Sequence, residues 1–117
     1  MEYMLVLYSN PQEIAALKPA EMEAMAGAYY AFTQALQKEN AFVDSRRLKP
    51  AAEATTIHLD QGKSKVLNGP YIETKEELAG YYLIKVPDLD AAMKWAARCP
   101  TANHGHVEIR PIWPMPG

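Results

Sequence analysis

The sequence predicts an α+β domain of ferredoxin-like type, a split β-α-β pattern with an antiparallel sheet. Three observations carry that expectation. Residues 3–8 and 79–86 are apolar on both alternating faces, as strands covered on two sides are. Two other stretches, after Pro19 and after Asp88, repeat apolar residues at helical spacing. Between them, Gln61-Gly62 joins two short strand-like runs as a tight hairpin.

The first strand, residues 3–8, ends at Ser9-Asn10-Pro11. Asn10 is suited to cap a short helix, Pro11 to open it, and Glu13 stands at capping-box spacing; that turn should end near Leu17. Pro19 opens a longer helix with Glu21 and Glu23 near its positive end. Met22, Met25, Ala26, Tyr29, Thr33 and Leu36 form one stripe that reads as core, and the helix should finish by Asn40, after about 20 residues and roughly 30 Å. Strands follow over residues 42–48, 54–60 and 63–67. Asn68-Gly69-Pro70 breaks the last of these, and residues 71–78 are charged with no clear period. After the strand at 79–86, Asp88 caps a second helix with the stripe Leu89, Ala92, Met93 and Ala96; Lys94 and Arg98 suit its negative end and Pro100 stops it. A final strand spans residues 106–112, and the prolines of the tail end the ladder.

With 117 residues and no repeat or linker, the chain reads as one domain over residues 1–117. Twelve basic residues against fourteen acidic ones, a net charge of -2, supply no cationic stripe for direct nucleic-acid binding and no basic face for a membrane. No apolar run is long enough to span a bilayer, the first residues do not form a signal peptide, and the single Cys99 fits a reducing compartment. A cytoplasmic location is expected. Two helices cover one sheet face only, so strands apolar on both faces call for a homodimer packed sheet against sheet.

The densest polar cluster runs from Asn68 to Tyr82. Gly69-Pro70 forces a turn, and one helical turn beyond it would align Glu73 with Glu77 and Tyr71 with Lys75. A carboxylate beside a lysine supports acid–base chemistry when both are partly buried; as a solvated loop the same residues form only surface ion pairs. Arg46 and Arg47 are adjacent on one strand, so one points to each face. An arginine facing the interior would anchor a carboxylate or phenolate, whereas one facing out would guard an edge strand. The candidate pocket therefore comprises Arg46, Asn68, Gly69, Pro70, Tyr71, Glu73, Lys75, Glu76 and Tyr81, with no catalytic residue assigned.

That cluster closely resembles the signature of the DGPF family, a branch of the YCII-related proteins. Its hallmark Asp-Gly-Pro-Phe, then Glu-Thr-Lys-Glu and Gly-Tyr-Tyr-Leu-Ile, stands here as Asn68-Gly69-Pro70-Tyr71, Glu73-Thr74-Lys75-Glu76 and Gly80-Tyr81-Tyr82-Leu83-Ile84. Glu2-Tyr3-Met4-Leu5, the helix segments Asp88-Leu89-Asp90 and Trp95-Ala96-Ala97-Arg98, and Val107-Glu108-Ile109-Arg110-Pro111-Ile112 extend the resemblance over the chain. It implies the dimeric α+β barrel fold and no generally established activity. Some YCII relatives are proposed enzymes, one a dehydrochlorinase acting on a chlorinated hydroquinone through a His–Asp pair. DGPF members are also often encoded beside extracytoplasmic-function sigma factors, which implies a regulatory or accessory role.

Two departures bear on this. Asn68 replaces the hallmark Asp, removing a carboxylate while keeping a side chain that tolerates turn geometry. Residues 19–40 contain no histidine, so the His–Asp unit is not matched on the first long helix. His58, with Thr56 and Asp60 on its strand face, and His104 and His106 about a glycine, would form a metal site only if their strands were neighbours; neither metal nor cofactor is expected. Cys99 has no activating partner in sequence, and no phosphate loop or dinucleotide fingerprint is present. Two function classes remain open: a small-molecule- or partner-binding accessory protein linked to sigma-factor regulation, and a small enzyme doing acid–base chemistry on a phenolic or carboxylate compound in an intersubunit pocket.

Overall fold

The computed structural model describes residues 1–116. Strands β1 (Glu2–Ser9), β2 (Phe42–Arg47), β3 (Thr55–Asp60), β4 (Lys63–Asn68), β5 (Glu77–Lys85) and β6 (His106–Pro111) alternate with helices α1 (Pro11–Ala15), α2 (Pro19–Lys38) and α3 (Leu89–Arg98). Four strands form an antiparallel sheet in the order β2-β5-β1-β6, the ferredoxin-like arrangement in which the two strands that are apolar on both faces lie side by side at the centre. β3 and β4 form a separate two-stranded hairpin outside that sheet.

Local chemistry accounts for the element ends. Asn10 caps α1 by accepting from the Gln12 N–H at 2.9 Å; Glu13 does not complete the capping box expected there. Asp88 caps α3 by accepting from the Ala91 N–H at 2.9 Å. The Glu21 carboxylate closes the first turn of α2 from inside by accepting the Lys18 N–H at 2.9 Å. Gln61 and Gly62 both take positive φ, 50° and 81°, the left-handed pair that a two-residue hairpin requires.

On one sheet face Tyr3, Leu5, Leu7, Tyr82 and Ile84 are buried beneath the two long helices. Phe32 of α2 joins them edge-on to Tyr82 at 5.0 Å and to Trp95 of α3 at 6.1 Å between ring centroids. Of the expected α3 stripe, Ala92 and Ala96 are buried, while Leu89 and Met93 are about half exposed and Trp95 provides the bulk. The α2 stripe divides. Leu36 and the neighbouring Phe32 are core, but Met22 is exposed and Met25 and Tyr29 only half-buried. Reading the whole stripe as core is therefore corrected: its first half stands off the sheet.

Among the described residues nothing covers the opposite sheet face. Met4 and Val6 lie at its centre beside Tyr81 and Leu83, with Asp44 and Arg46 along one flank and Glu108 and Arg110 along the other. The hairpin also carries an open apolar side, where Ile57 pairs with Val66 and both are more than 60% exposed, at 64% and 63%. Among the described residues no helix is long and apolar enough to cross a membrane.

Candidate functional site

Where α2 leaves the sheet, a cavity of about 650 Å³ opens between them. Met22, Met25 and Tyr29 form its helical wall, Ile14 of α1 closes one side, and Leu7, Gly80 and Tyr82 form its floor. Glycine is needed on that floor: a Cβ at Gly80 would stand 2.5 Å from the Arg46 carbonyl oxygen, across the β2–β5 pairing. The chain leaving β2, from Arg47 to Pro50, forms the rim. Ala51 beyond it is held to the sheet by its N–H, which donates to Glu77 Oε1 at 2.7 Å.

Polar groups converge on one end of this mostly apolar space. Tyr29 Oη shares a hydrogen bond of 2.5 Å with Thr101 Oγ1 and lies 3.4 Å from His104 Nε2. Thr33 Oγ1 donates to the Tyr29 carbonyl at 2.9 Å, which leaves it to accept from Tyr82 Oη at 2.8 Å. Thr101 belongs to the single turn of 3-10 helix Pro100–Asn103 and is 1% exposed. Its carbonyl accepts the N–H groups of His104 and Gly105, which fixes His104 at the cavity edge. Burial raises the Tyr29 pKa despite the opposing hydrogen bond from Thr101 and the nearby Arg47 charge, so its hydroxyl is protonated at neutral pH.

The two arginines part as adjacent strand residues must. Arg46 Nη1 binds Asp44 Oδ1 at 2.6 Å and the Ser45 carbonyl at 2.7 Å on the uncovered face, although its backbone borders the cavity. Tyr81, on the same face, donates to Asp44 Oδ2 at 2.8 Å. That bond, ahead of the Ser45 N–H and Arg46, holds the Asp44 carboxyl below its ordinary range and raises the Tyr81 pKa. Arg47 sits opposite Gly80 and lines the cavity.

The remaining expected pocket residues lie elsewhere. Asn68 closes the hairpin base opposite Thr55, and Gly69 takes a φ of 139° that favours glycine. The Gly69 N–H donates to the Ala54 carbonyl, and its own carbonyl accepts from Thr56 Oγ1, both at 2.8 Å. Pro70 follows between the bends at Gly69 and Tyr71-Ile72, Tyr71 is 82% exposed, and Glu73 and Lys75 are exposed. No helical turn aligns Glu73 with Glu77 or Tyr71 with Lys75; the segment is irregular. Glu76 reaches the last strand instead, where Oε1 meets His106 Nδ1 at 2.8 Å. His58 lies on the hairpin, His104 at the cavity and His106 on β6, and no group of three potential ligands gathers among the described residues. Cys99 is wholly buried, which pushes its thiol pKa up.

Tyr29 and Thr101 are the site residues that local spacing did not single out; Arg47 was one of the two arginines of which one was expected to face inward, and His104 was weighed only as a metal ligand. One signal was available: a tyrosine and a threonine in a core stripe need hydroxyl partners, and that demand marks a polar pocket as readily as a packed core.

A protein of Rhizobium meliloti (strain 1021), itself uncharacterised, is 31% identical over 114 residues, covering 96% of this chain and 92% of its own length. The solved structure of 5-chloro-2-hydroxyhydroquinone dehydrochlorinase from Burkholderia phenoliruptrix AC1100, in complex with 2,5-dihydroxybenzoquinone, superposes with a TM-score of 0.55 at 9% identity, over 97% of this chain and 94% of that one. That likeness establishes a shared fold. The model of the YCII-related domain matches residues 1–116, and the chain belongs to the YCII-related family.

Proposed function

We propose that this chain binds a small molecule in the cavity between α2 and the sheet. The observation that carries the reading is a space of about 650 Å³, walled by apolar side chains, with the Tyr29, Tyr82 and His104 polar groups at one end. Ligand pockets typically measure about 300–1,000 Å³ and combine apolar walls with a few placed polar groups. The ligand complex of the dehydrochlorinase, a protein of the same fold, supports a flat oxygenated ring as the first compound to try. Titration of the protein with 2,5-dihydroxybenzoquinone, followed by a panel of hydroxylated aromatics, tests this. Parent protein should bind members of the panel and Ala26→Trp, which puts an indole into the cavity from a position of α2 that lines it, should not; binding unchanged in Ala26→Trp overturns the reading.

The functional unit in this proposal is a homodimer formed through the uncovered sheet face. Its apolar centre at Met4, Val6 and Leu83, with charged flanks, has the composition of an interface core and rim. A second reading, acid–base catalysis in the same cavity, is favoured by the 3.4 Å approach of Tyr29 Oη to His104 Nε2. Turnover of a bound hydroxylated aromatic that is lost in Tyr29→Phe would favour catalysis over binding alone.

A further inference from the structure

The charges around the cavity are unequal. Arg47 and Lys49 bring cationic side chains to its rim, against the single carboxylate of Glu77. Arg46 is committed to Asp44 at 2.6 Å, Lys49 faces Glu53 at 4.0 Å, and Glu77 accepts the Ala51 N–H. Among the described residues Arg47 alone of the two arginines has no carboxylate within ion-pair distance. Its strand position puts it beside Gly80, where no side chain blocks the path to the floor. At the other side of the same space Tyr29 keeps its proton, although the Arg47 charge acts on it.

We propose that the cavity is selective for aromatic anions, carboxylates or acidic phenols, with Arg47 as the residue that sets the selectivity and the Tyr29–Thr101–His104 cluster as the reader of a ring hydroxyl. The inference rests on the cavity being a ligand site and adds the charge of what enters it. An unpaired guanidinium beside apolar walls gains a charge-assisted, two-pronged hydrogen bond from a planar anion. Neutral rings of the same shape gain only the burial. Tyr29, held in its neutral form, can donate to a ring oxygen or accept from a ring hydroxyl through rotation of its O–H, and His104 beside it does the same through its tautomer. A neutral hydroxyl at that end does not repel an anion, as a phenolate would.

The test compares para-hydroxybenzoate with its neutral isostere para-hydroxybenzamide, by calorimetry and by backbone-amide NMR, on the full chain and on Arg47→Met. Methionine keeps the apolar stem of a side chain that is exposed, and unchanged thermal midpoints will verify folding. In the parent the benzoate should bind about ten-fold more tightly or better, with cavity amides shifting. In Arg47→Met that preference should vanish through weaker benzoate binding, the benzamide being unaffected. Equal binding of the two compounds by the parent, or a preference intact in Arg47→Met, overturns the anion selectivity while leaving the cavity as a ligand site. Silence of the cavity amides toward both compounds at millimolar concentration overturns the selectivity and the cavity reading together.

Discussion

Gly105 packs directly beneath the carbonyl of Tyr8: a Cβ on Gly105 would fall onto that oxygen. The contact brings the turn after α3 against the end of β1, which in turn sets Thr101 and His104 at the cavity. Gly105→Ala should therefore destabilise the fold by about 1–3 kcal/mol, the usual range for forcing a methylene into a filled space. Urea denaturation measures it, and Gly27→Ala, with open space at its Cβ, should cost nothing or stabilise α2 slightly.

The divided α2 stripe predicts unequal sensitivities along one helix. Leu36 is fully buried, so Leu36→Ala should lose about 2–5 kcal/mol. Met22→Ala, at a cavity mouth and 38% exposed, should stay within about 0.5 kcal/mol of the parent. Equal losses at the two positions would mean that the helix packs on the sheet along its whole length.

Titration of the native state sets the pH limits of stability. Cys99, Tyr29 and Tyr81 all have raised pKa values, the first two through burial and the third through its bond to Asp44. Each contributes stability fully present below its unfolded pKa and lost as pH rises through the folded one, so the unfolding midpoint should fall from about pH 8.5 upward. Asp44 has the opposite sign: its lowered pKa stabilises above about pH 4 and is lost as pH falls further. Midpoints measured across pH in Tyr81→Phe should show a shallower acid limb, because the donor that holds the Asp44 carboxylate is gone. The buried Cys99 thiol should also resist an aromatic disulfide reagent until urea unfolds the chain.

Dimerisation through the uncovered sheet face predicts that Leu83→Arg, at the centre of that face, yields a folded monomer. Sedimentation equilibrium of parent and variant, with circular dichroism as the folding check, decides it. A monomeric parent at micromolar concentration removes the dimer from the account.

Much of the fold was legible because short-range chemistry marks it. Asn10, Pro11, Pro19 and Asp88 set helix starts, Gln61-Gly62 sets the hairpin, and the two strands apolar on both faces lie at the sheet centre as their pattern requires. The site was less legible. A helical period tells which side of α2 faces the protein but not how closely it approaches, so Met22, Met25 and Tyr29 read as core when they wall a cavity. Tyr29, Arg47, Thr101 and His104 come from a helix, a strand end and a turn, and no spacing within one segment joins them. The polar cluster at 68–76 is dense in sequence but opens out in space, with Asn68 at the hairpin base and Glu76 tied to His106.

The central claim is that the space between α2 and the sheet receives a ligand. Backbone-amide NMR of the folded protein against a panel of aromatic fragments, charged and neutral, tests it most directly. Hits should shift Leu7, Met25, Gly80 and His104 together and saturably, and lose that effect in Ala26→Trp. Hits confined to the uncovered sheet face or to the β3–β4 hairpin, with those four amides unmoved, would contradict it.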